Sequence, residues 1–375
     1  MRGIGAMRRS DTLPLHIGGF LGPFGGAVLS VIIPELQTSF DVSRGAVASA
    51  IPAYLIPFAL LQLVAGPIAN RLGVGRVVRA GYVGYALASL LAAAAPTFGV
   101  FLAARIAQGA ANAFVTPLLL ASLGEIVPKE RLARSIGTFA SVQTGALAAS
   151  PLVGGLAGAF DWRIAFVVQA MVSLALALRR PVASTIARGA GGLRALLGRR
   201  LGLLCACGFA GYLGVTGIPV IVALRAHDAF GLGPSERGLV LAGFGLAGML
   251  GGRPLGRVVD RTGRRFAAVL GSVACASAVA ACGVVSASAG LAALWFAAGL
   301  GSVLMWNGLN TLAVEAAPAN RTTFTSVFSA CKFAGNAAAP VLWLPVYDSR
   351  VSLSFVAAGA TCLLIIPLMA AYDSG

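Results

Sequence analysis

Twelve long apolar runs, separated by short charged breaks, constrain this chain more than any other feature. A helix needs about 20 residues to cross the roughly 30 Å hydrocarbon core of a bilayer, and each run is close to that length. Hydrophobic residues make up 58% of the 375 positions and charged residues 11%, too little polar surface for a soluble globule. Run length favours helices over the strands of a membrane barrel. The predicted spans are 14–34, 46–66, 77–96, 98–122, 135–158, 162–178, 201–224, 238–256, 266–287, 289–312, 323–345 and 351–371.

The charged breaks contain a repeat with a constant offset of 190 positions. Because both sets of repeated residues lie between apolar runs, the repeat describes two equivalent halves and not a local motif. The sequence therefore predicts an all-α integral membrane fold of two pseudo-symmetric six-helix bundles, 1–178 and 201–375, an architecture typical of transporters. The matching residues are Gly66, Asn70, Arg71 and Gly73 with Gly256, Asp260, Arg261 and Gly263, and Glu125, Pro128 and Arg131 with Glu315, Pro318 and Arg321.

The distribution of basic residues predicts the orientation. Most of the 28 Lys and Arg residues fall in alternate breaks, which places both termini on the cytoplasmic side, and only Arg105 and Lys332 fall within predicted helices. The segment 179–200 has six arginines and no acid, so it is predicted to be a cytoplasmic linker that fixes topology in preference to recognising a lipid or protein. The net charge of +16 is too dispersed for a nucleic-acid surface.

Catalytic and metal-binding patterns are missing from the sequence. The six cysteines all fall in predicted helices, where they act as small apolar side chains, and His16 and His227 are the two histidines. Neither a metal ligand set nor a nucleophile elbow, phosphate loop or helical carboxylate pair is present. We therefore expect neither an enzyme nor an ATP-driven pump, and no cofactor.

The charges inside the predicted helices indicate a functional site, because an unpaired ionised group at membrane depth usually faces a wet cavity or a partner. Arg105 shares a helical stripe with Gln108 and Asn112, and Lys332 is followed one turn later by Asn336. Their repeat partners are the uncharged Trp295 and Val142. Unduplicated charges predict one central substrate or coupling site, whereas the alternative is that both cations satisfy helix ends or snorkel.

Further polar and aromatic residues are candidates for lining this site, although each could equally be packing between helices. They are Tyr54, Phe58, Gln62, Gln143, Tyr212, Trp306, Asn307 and Asn310. Glycines in the first and seventh runs predict close contact between helices and sliding surfaces rather than ligand binding. They are Gly18, Gly22 and Gly26, and Gly208, Gly211, Gly214 and Gly217.

Several stretches resemble signatures of the major facilitator superfamily, in particular its proton-coupled drug antiporters. The stretch 66–76 (GPIANRLGVGR) resembles the signature between helices 2 and 3, and 256–265 (GRVVDRTGRR) resembles its copy between helices 8 and 9. The stretch 102–112 (LAARIAQGAAN) is similar to the fourth-helix signature, and 161–163 (DWR) to the entry to helix 6. With the repeat, the resemblance covers nearly the whole chain and implies transport by alternating access.

The resemblance also implies a latch between the halves at the loop signatures, which contain Arg71, Arg76, Arg261 and Arg264. The family's acid of this motif is thought to contact a helix start in the other half, but the first copy here has Asn70. Asparagine can accept a hydrogen bond but lacks the charge term of about 0.3–1 kcal/mol. We therefore predict a weaker cytoplasmic latch and an equilibrium shifted toward the inward-open state.

The coupling mechanism is less constrained by the sequence. The first run lacks the acid that drug antiporters of this family carry, and the helix-5 stretch with Gly145, Ser150 and Gly154 departs from the antiporter signature. The acids Glu35, Glu125, Asp260 and Glu315 lie near helix ends, where Glu125 and Glu315 are placed to pair with loop arginines. Proton coupling would then use Arg105 with water, a boundary carboxylate or the substrate's own ionisation.

The leading hypothesis is a monomeric transporter of the bacterial inner membrane that exports small amphipathic compounds against a proton gradient. An alternative, motivated by two buried cations without buried acids, is an importer or facilitator of a small organic anion. A third is a receptor without transport activity on the same scaffold. The expected partners are a small-molecule substrate, protons and the lipid bilayer, with no nucleic acid.

Overall fold

The chain is described here by a computed structural model for residues 9–179, 198–316 and 321–373, with side chains at 13–128, 135–179, 198–316 and 324–372. The linker between 180 and 197, Pro318 and the side chains of Arg131 and Arg321 lie outside the described residues.

Helices account for nearly all of the described chain, and none of the described residues forms a strand. The first half contains α1 (Arg9–Gly18), α2 (Leu21–Ala27), a 3₁₀ turn (Val28–Val31), α3 (Ile33–Phe40), α4 (Arg44–Leu72), α5 (Val74–Ala93), α6 (Phe98–Asn112), α7 (Thr116–Ile126), α8 (Lys129–Phe160) and α9 (Arg163–Ala177). The second half contains α10 (Arg199–Gly211), a π turn (Tyr212–Thr216), α11 (Pro219–Phe230), α12 (Pro234–Thr262), α13 (Arg264–Cys282), α14 (Ser288–Glu315), α15 (Arg321–Ser349), α16 (Val351–Leu363) and α17 (Ile365–Asp373).

Each of the twelve predicted spans corresponds to a helix or a broken helix. Within the described residues, ten segments are long and apolar enough to cross a membrane, and the remaining two spans correspond to α5 and to the shorter apolar helix α9. The structure interrupts four spans that the hydropathy pattern predicts as continuous, namely the first, fourth, seventh and twelfth. Hydropathy detects membrane depth but not a local change of helical hydrogen bonding, so these breaks have no sequence signal of that kind.

The 190-residue repeat extends to the helix boundaries. Helices α4 and α12 are both 29 residues long with bounds 190 positions apart, and the starts of α5 and α13 and of α6 and α14 keep the same offset. Gly73 and Gly263 end the equivalent helices at φ of 90° and 92°. Because side chains other than hydrogen strain this backbone region, glycine at these two positions permits the sharp turn into the next helix.

The most extensive contacts between the halves are those of α8 with α12 and of α4 with α15. Gly155 and Gly238 let the first pair approach so closely that a Cβ at either position would collide with the backbone of the other helix, at Pro234 or Pro151. Farther along, Gly245 lies against Ala148 and Gly248 against Thr144, but a Cβ at Gly252 would meet nothing within 4 Å. The α8–α12 contact therefore ends partway along the bundle.

The two faces of the bundle differ as a result. We call the face with Gly73, Gly263 and the two residues that flank the linker, Arg179 and Gly198, the linker face, and the face with Thr97, Trp162, Gly233 and Arg350 the far face. At the far face, ion pairs join the halves: Glu35 with Arg237, and Arg44 with Asp228 at 2.9 Å and Asp348 at 3.5 Å. At the linker face, Arg264 pairs at 2.7 Å with Glu315 of its own half, which confirms the pairing expected for Glu315. The halves are thus joined by ion pairs at the far face, and their α8–α12 contact does not extend to Gly252 near the linker face.

Candidate functional site

Aromatic side chains from both halves meet midway along the bundle. The ring centroids of Tyr54 and Phe58 are 6.4 Å apart, and Phe58 contacts Phe333 of the second half edge to face at 4.9 Å. Phe333 is 5.9 Å from Tyr212, which is 4.8 Å from Trp306. These five rings, here called the aromatic seam, connect α4 with α15, the π turn and α14.

Lys332 lies beside the aromatic seam in the second half. Its Nζ donates a 3.3 Å hydrogen bond to Asn310 Oδ1 and lies 5.6 and 5.7 Å from the ring centroids of Tyr212 and Trp306. A third ring, that of Phe328 one turn earlier on α15, is 4.9 Å away. The side chain is only partly buried, and Asn310 is exposed. The ammonium thus stands against three aromatic faces, an arrangement that stabilises a cation.

The π turn places Tyr212 in this group. The Gly217 amide donates to Tyr212 O over 2.7 Å, which closes a wider turn than an α-helix, and the Trp343 indole donates to Leu213 O over 2.8 Å. The glycines predicted to allow close contact do so here: a Cβ at Gly208 would meet Phe328 and Lys332, and one at Gly211 would meet Trp306. Such π turns often occur at functional sites.

Arg105 is fully buried inside the first half, at the edge of the aromatic seam. Its guanidinium donates to Gln108 Oε1 at 2.7 Å, to Gly25 O at 3.1 Å and to Ala50 O at 3.4 Å. The guanidinium carbon also lies 4.4 Å from the ring centroid of Tyr54. Arg105 therefore contacts the seam through Tyr54 alone, with polar partners that are all neutral.

A buried polar network continues from Arg105 within the first half. Gln108 donates to Ser89 Oγ at 2.7 Å and to Gln169 Oε1 at 3.3 Å, and Gln169 also accepts from Tyr85 at 3.0 Å. Asn112, one further turn along α6, is buried and accepts from Thr116 at 3.1 Å. The predicted stripe of Arg105, Gln108 and Asn112 exists, but it faces the core of its own half.

The other predicted lining residues lie on α4, α8, α14 and α15. Gln62 lies one turn after Phe58 on α4, Asn307 neighbours Trp306 on α14, and Gln143 lies on α8, all partly buried. The Asn336 Oδ1 is 3.1 Å from the position of a Cβ on Gly217, next to the π turn. The structure thus groups Tyr54, Phe58, Tyr212, Trp306, Asn310 and Lys332, and Arg105 contacts this group only at Tyr54.

The predicted gating residues lie at the linker face. Asn70, Arg71 and Arg76 are exposed around the α4–α5 turn, and Asp260 and Arg261 are exposed at the equivalent α12–α13 turn. Glu125 is exposed at the end of α7. Their role in a latch stays a prediction.

The structure corrects the expectation that Arg105 and Lys332 are the cations within the helices. Arg237, in the first turn of α12, is 1% exposed and pairs with Glu35 across the halves. The apolar run that corresponds to α12 begins at 238 in the sequence, which places Arg237 in the preceding loop. Sequence reasoning also missed Phe333 and Phe328, whose spacing around Lys332 is the signal that could have indicated them.

Among the described side chains, no group of three His, Cys, Asp or Glu could hold a metal ion.

Two repeated halves of membrane-spanning helices, joined around a central aromatic and polar site, define a multi-pass membrane transporter. The chain belongs to the Major Facilitator Superfamily, whose family model matches residues 15–203 and 204–373.

Curated relatives match part of the chain. An uncharacterized MFS-type transporter, YceJ of Bacillus subtilis, is 34% identical over 155 residues, 40% of this chain and 39% of the relative. The puromycin resistance protein pur8 of Streptomyces alboniger is 34% identical over 152 residues, 40% of this chain and 30% of that protein. The methylenomycin A resistance protein of Streptomyces coelicolor is 33% identical over 144 residues, which are 38% of this chain and 30% of that protein. The chain thus spans well under half the length of these relatives.

Solved structures show the same fold over the whole chain. A bacterial homologue of the human lysosomal transporter Spinster, in an inward-facing and unoccupied conformation, superposes with a TM-score of 0.71. It is 16% identical, and the match covers 99% of this chain and 96% of that one. Its inward-facing, occupied form gives a TM-score of 0.74 at 15% identity.

Proposed function

We propose that this transporter exports small amphipathic compounds across the bacterial inner membrane by alternating access, driven by a proton gradient. Two relatives with 33–34% identity are named as resistance proteins for puromycin and methylenomycin A, and another relative as a putative multidrug resistance protein. These names belong to the relatives, and they support efflux as the proposal for this chain. The physical support for this chain comes from the aromatic seam.

The seam suits amphipathic cargo because it presents aromatic faces from both halves with a few polar groups. Binding pockets for small molecules are mostly apolar, with a small number of polar groups that fix orientation. Tyr54 and Phe58 come from the first half, and Tyr212, Trp306 and Phe333 from the second. A compound bound at the Phe58–Phe333 contact would therefore touch both halves, which is what coupling of binding to rocking requires.

The arrangement of the two faces supports alternating access. The far face is closed by ion pairs between the halves and by the α8–α12 contact, whereas Gly66, Gly252 and Gly256 near the linker face have no neighbour within 4 Å of a Cβ. If the basic linker is cytoplasmic, the structure represents an inward-open state. Release to the exterior then requires the far-face ion pairs to separate.

Proton coupling would use a carboxylate at a boundary. Among the acids whose side chains the structure describes, Glu35 is the most buried, with 20% exposure, and it joins the two halves through Arg237. A carboxylate that pairs in one state and is released in the other can bind a proton in a state-dependent way. Glu35 is therefore our candidate for the proton-carrying group.

The test is transport by purified protein in proteoliposomes with an imposed pH gradient. In vesicles where the cytoplasmic face of the transporter is on the outside, an acidic lumen should drive accumulation of aromatic amphipathic compounds. Collapse of the pH gradient with an ionophore should abolish this accumulation. The Glu35→Gln variant should retain substrate exchange and lose gradient-driven accumulation. Exchange of an organic anion that is unaffected by the pH gradient would refute proton-coupled export and support the importer or facilitator. A folded protein that binds compounds without moving them would support the receptor.

A further inference from the structure

We infer that the substrate is an aromatic anion, whose negative charge is recognised by Lys332 and whose ring packs on the aromatic seam. The inference rests on the proposed transport function and specifies the substrate class of the same site. It depends on how Lys332 is partnered, not on the resemblance to resistance proteins, whose names carry no charge preference.

The first argument is the charge balance around Lys332. Its hydrogen-bonding partner among the described residues is the neutral Asn310, and its other close neighbours are three aromatic rings. A charged group at membrane depth is costly unless a partner or water compensates for it. The carboxylates with described ion pairs lie at the two faces of the bundle and are paired there. An anionic substrate would supply the missing opposite charge.

The second argument is the aromatic cage itself. Rings within about 6 Å of a cation attract it through their negative faces, which is how organic cations are commonly bound. In this chain, the cage of Phe328, Tyr212 and Trp306 already contains a cation, the Lys332 ammonium at 4.9–5.7 Å. A cationic substrate would therefore meet an occupied cage and a like charge, whereas an anion would meet a fixed, oriented donor.

The third argument is access. Lys332 is partly buried and its partner Asn310 is exposed, so the ammonium is not sealed within the protein core. Arg105, the other predicted cation, is fully buried with three hydrogen-bond acceptors and one tyrosine ring around it. The two cations thus divide their tasks: Lys332 binds the substrate charge, and Arg105 positions Tyr54 within the seam.

The experiment uses three matched probes: 2-naphthoate, the neutral 2-naphthamide and cationic 2-naphthylmethylammonium. Binding to the full chain in lipid nanodiscs is measured by equilibrium dialysis, and counterflow in proteoliposomes is measured for the two charged probes. We expect 2-naphthoate to bind at least about tenfold more tightly than the other two, the usual effect of one charge-assisted hydrogen bond. Lys332→Met should remove this preference, and Lys332→Arg should largely retain it.

The matched control is Arg257→Met, which removes one positive charge from an exposed position of α12 near the linker face. It should leave the preference unchanged, which separates a local contact from the protein's overall positive charge. If Lys332→Met does not fold, the wild-type ranking of the three probes still decides. Equal binding of all three probes, or a preference for the cation, would overturn the inference, and counterflow of the cation would leave the proposed transport function intact. Absence of both binding and counterflow for every probe would refute the inference together with the proposed substrate class.

Discussion

Two cations that look alike in the sequence have different surroundings in the structure. Lys332 is partly exposed beside a neutral amide, whereas Arg105 is fully buried and hydrogen-bonded to two backbone carbonyls. The repeat partner of Arg105 clarifies its role: Trp295 is also buried and donates to a carbonyl of the neighbouring helix, Leu241 O at 3.3 Å. Arg105 and Trp295 thus perform the same task, which is to attach one helix to another.

This comparison predicts a difference in stability. Arg105→Met removes the hydrogen bonds to Gly25 O, Ala50 O and Gln108 Oε1, and a buried acceptor left unsatisfied costs about 1–3 kcal/mol. Lys332→Met removes one hydrogen bond to an exposed amide and should cost little. Thermal unfolding of the two variants in detergent, followed by tryptophan fluorescence, should show a clear loss for Arg105→Met only. Equal unfolding temperatures would contradict a structural role for Arg105.

At the scale of elements, we expect the glycines of the α8–α12 contact to control how far the halves close. Gly238 and Gly252 lie on the same helix, α12, but only Gly238 is in contact with α8. Gly238→Val would insert a side chain against the Pro151 backbone, which cannot move easily because α8 is packed on both sides. Gly252→Val changes helix propensity equally without meeting a neighbour, so it is the matched control.

We expect Gly238→Val to open the far face and Gly252→Val to leave it closed. A single cysteine at Ser235, which lies between the halves with its hydroxyl 3.5 Å from Gly155 O, reports the opening through its rate of reaction with a membrane-impermeant maleimide. The six native cysteines are replaced by alanine beforehand. Similar labelling rates in the two variants would show that the α8–α12 contact does not control closure.

At the scale of the whole molecule, the far-face ion pairs differ in burial and should differ in importance. Arg237 is 1% exposed and Glu35 20%, whereas Arg44 and Asp228 are 28% and 31% exposed. Removing one partner of a buried pair costs about 3–5 kcal/mol, and the partial exposure of Glu35 lowers this figure. An exposed pair contributes about 0–1 kcal/mol. Arg237→Met should therefore increase maleimide labelling at Ser235→Cys far more than Arg44→Gln; comparable increases would contradict the argument from burial.

The linker face provides the complementary prediction. Asn70→Asp restores the acid of the loop motif and should stabilise contact between the halves on that side, which reduces labelling of a cysteine at Ser141, exposed on α8. Asp260→Asn, at the equivalent position of the second half, should change the labelling in the opposite direction. Unchanged labelling in Asn70→Asp would mean that the missing charge has no effect on this equilibrium.

The sequence by itself determined the class of fold. Membrane thickness imposes a length on every apolar run, and the duplication places Gly256 and Gly263 at the same offset of 190 positions from Gly66 and Gly73. It also indicated Tyr54, Phe58, Tyr212, Trp306 and Lys332 as site candidates. Only the tertiary structure decided that Arg105 faces the core of its own half, that Phe333 completes the seam and that Arg237 is buried against Glu35. Hydropathy and periodicity report depth and helical face, whereas these partnerships depend on which helix lies opposite, and that is set by packing between segments distant in the chain.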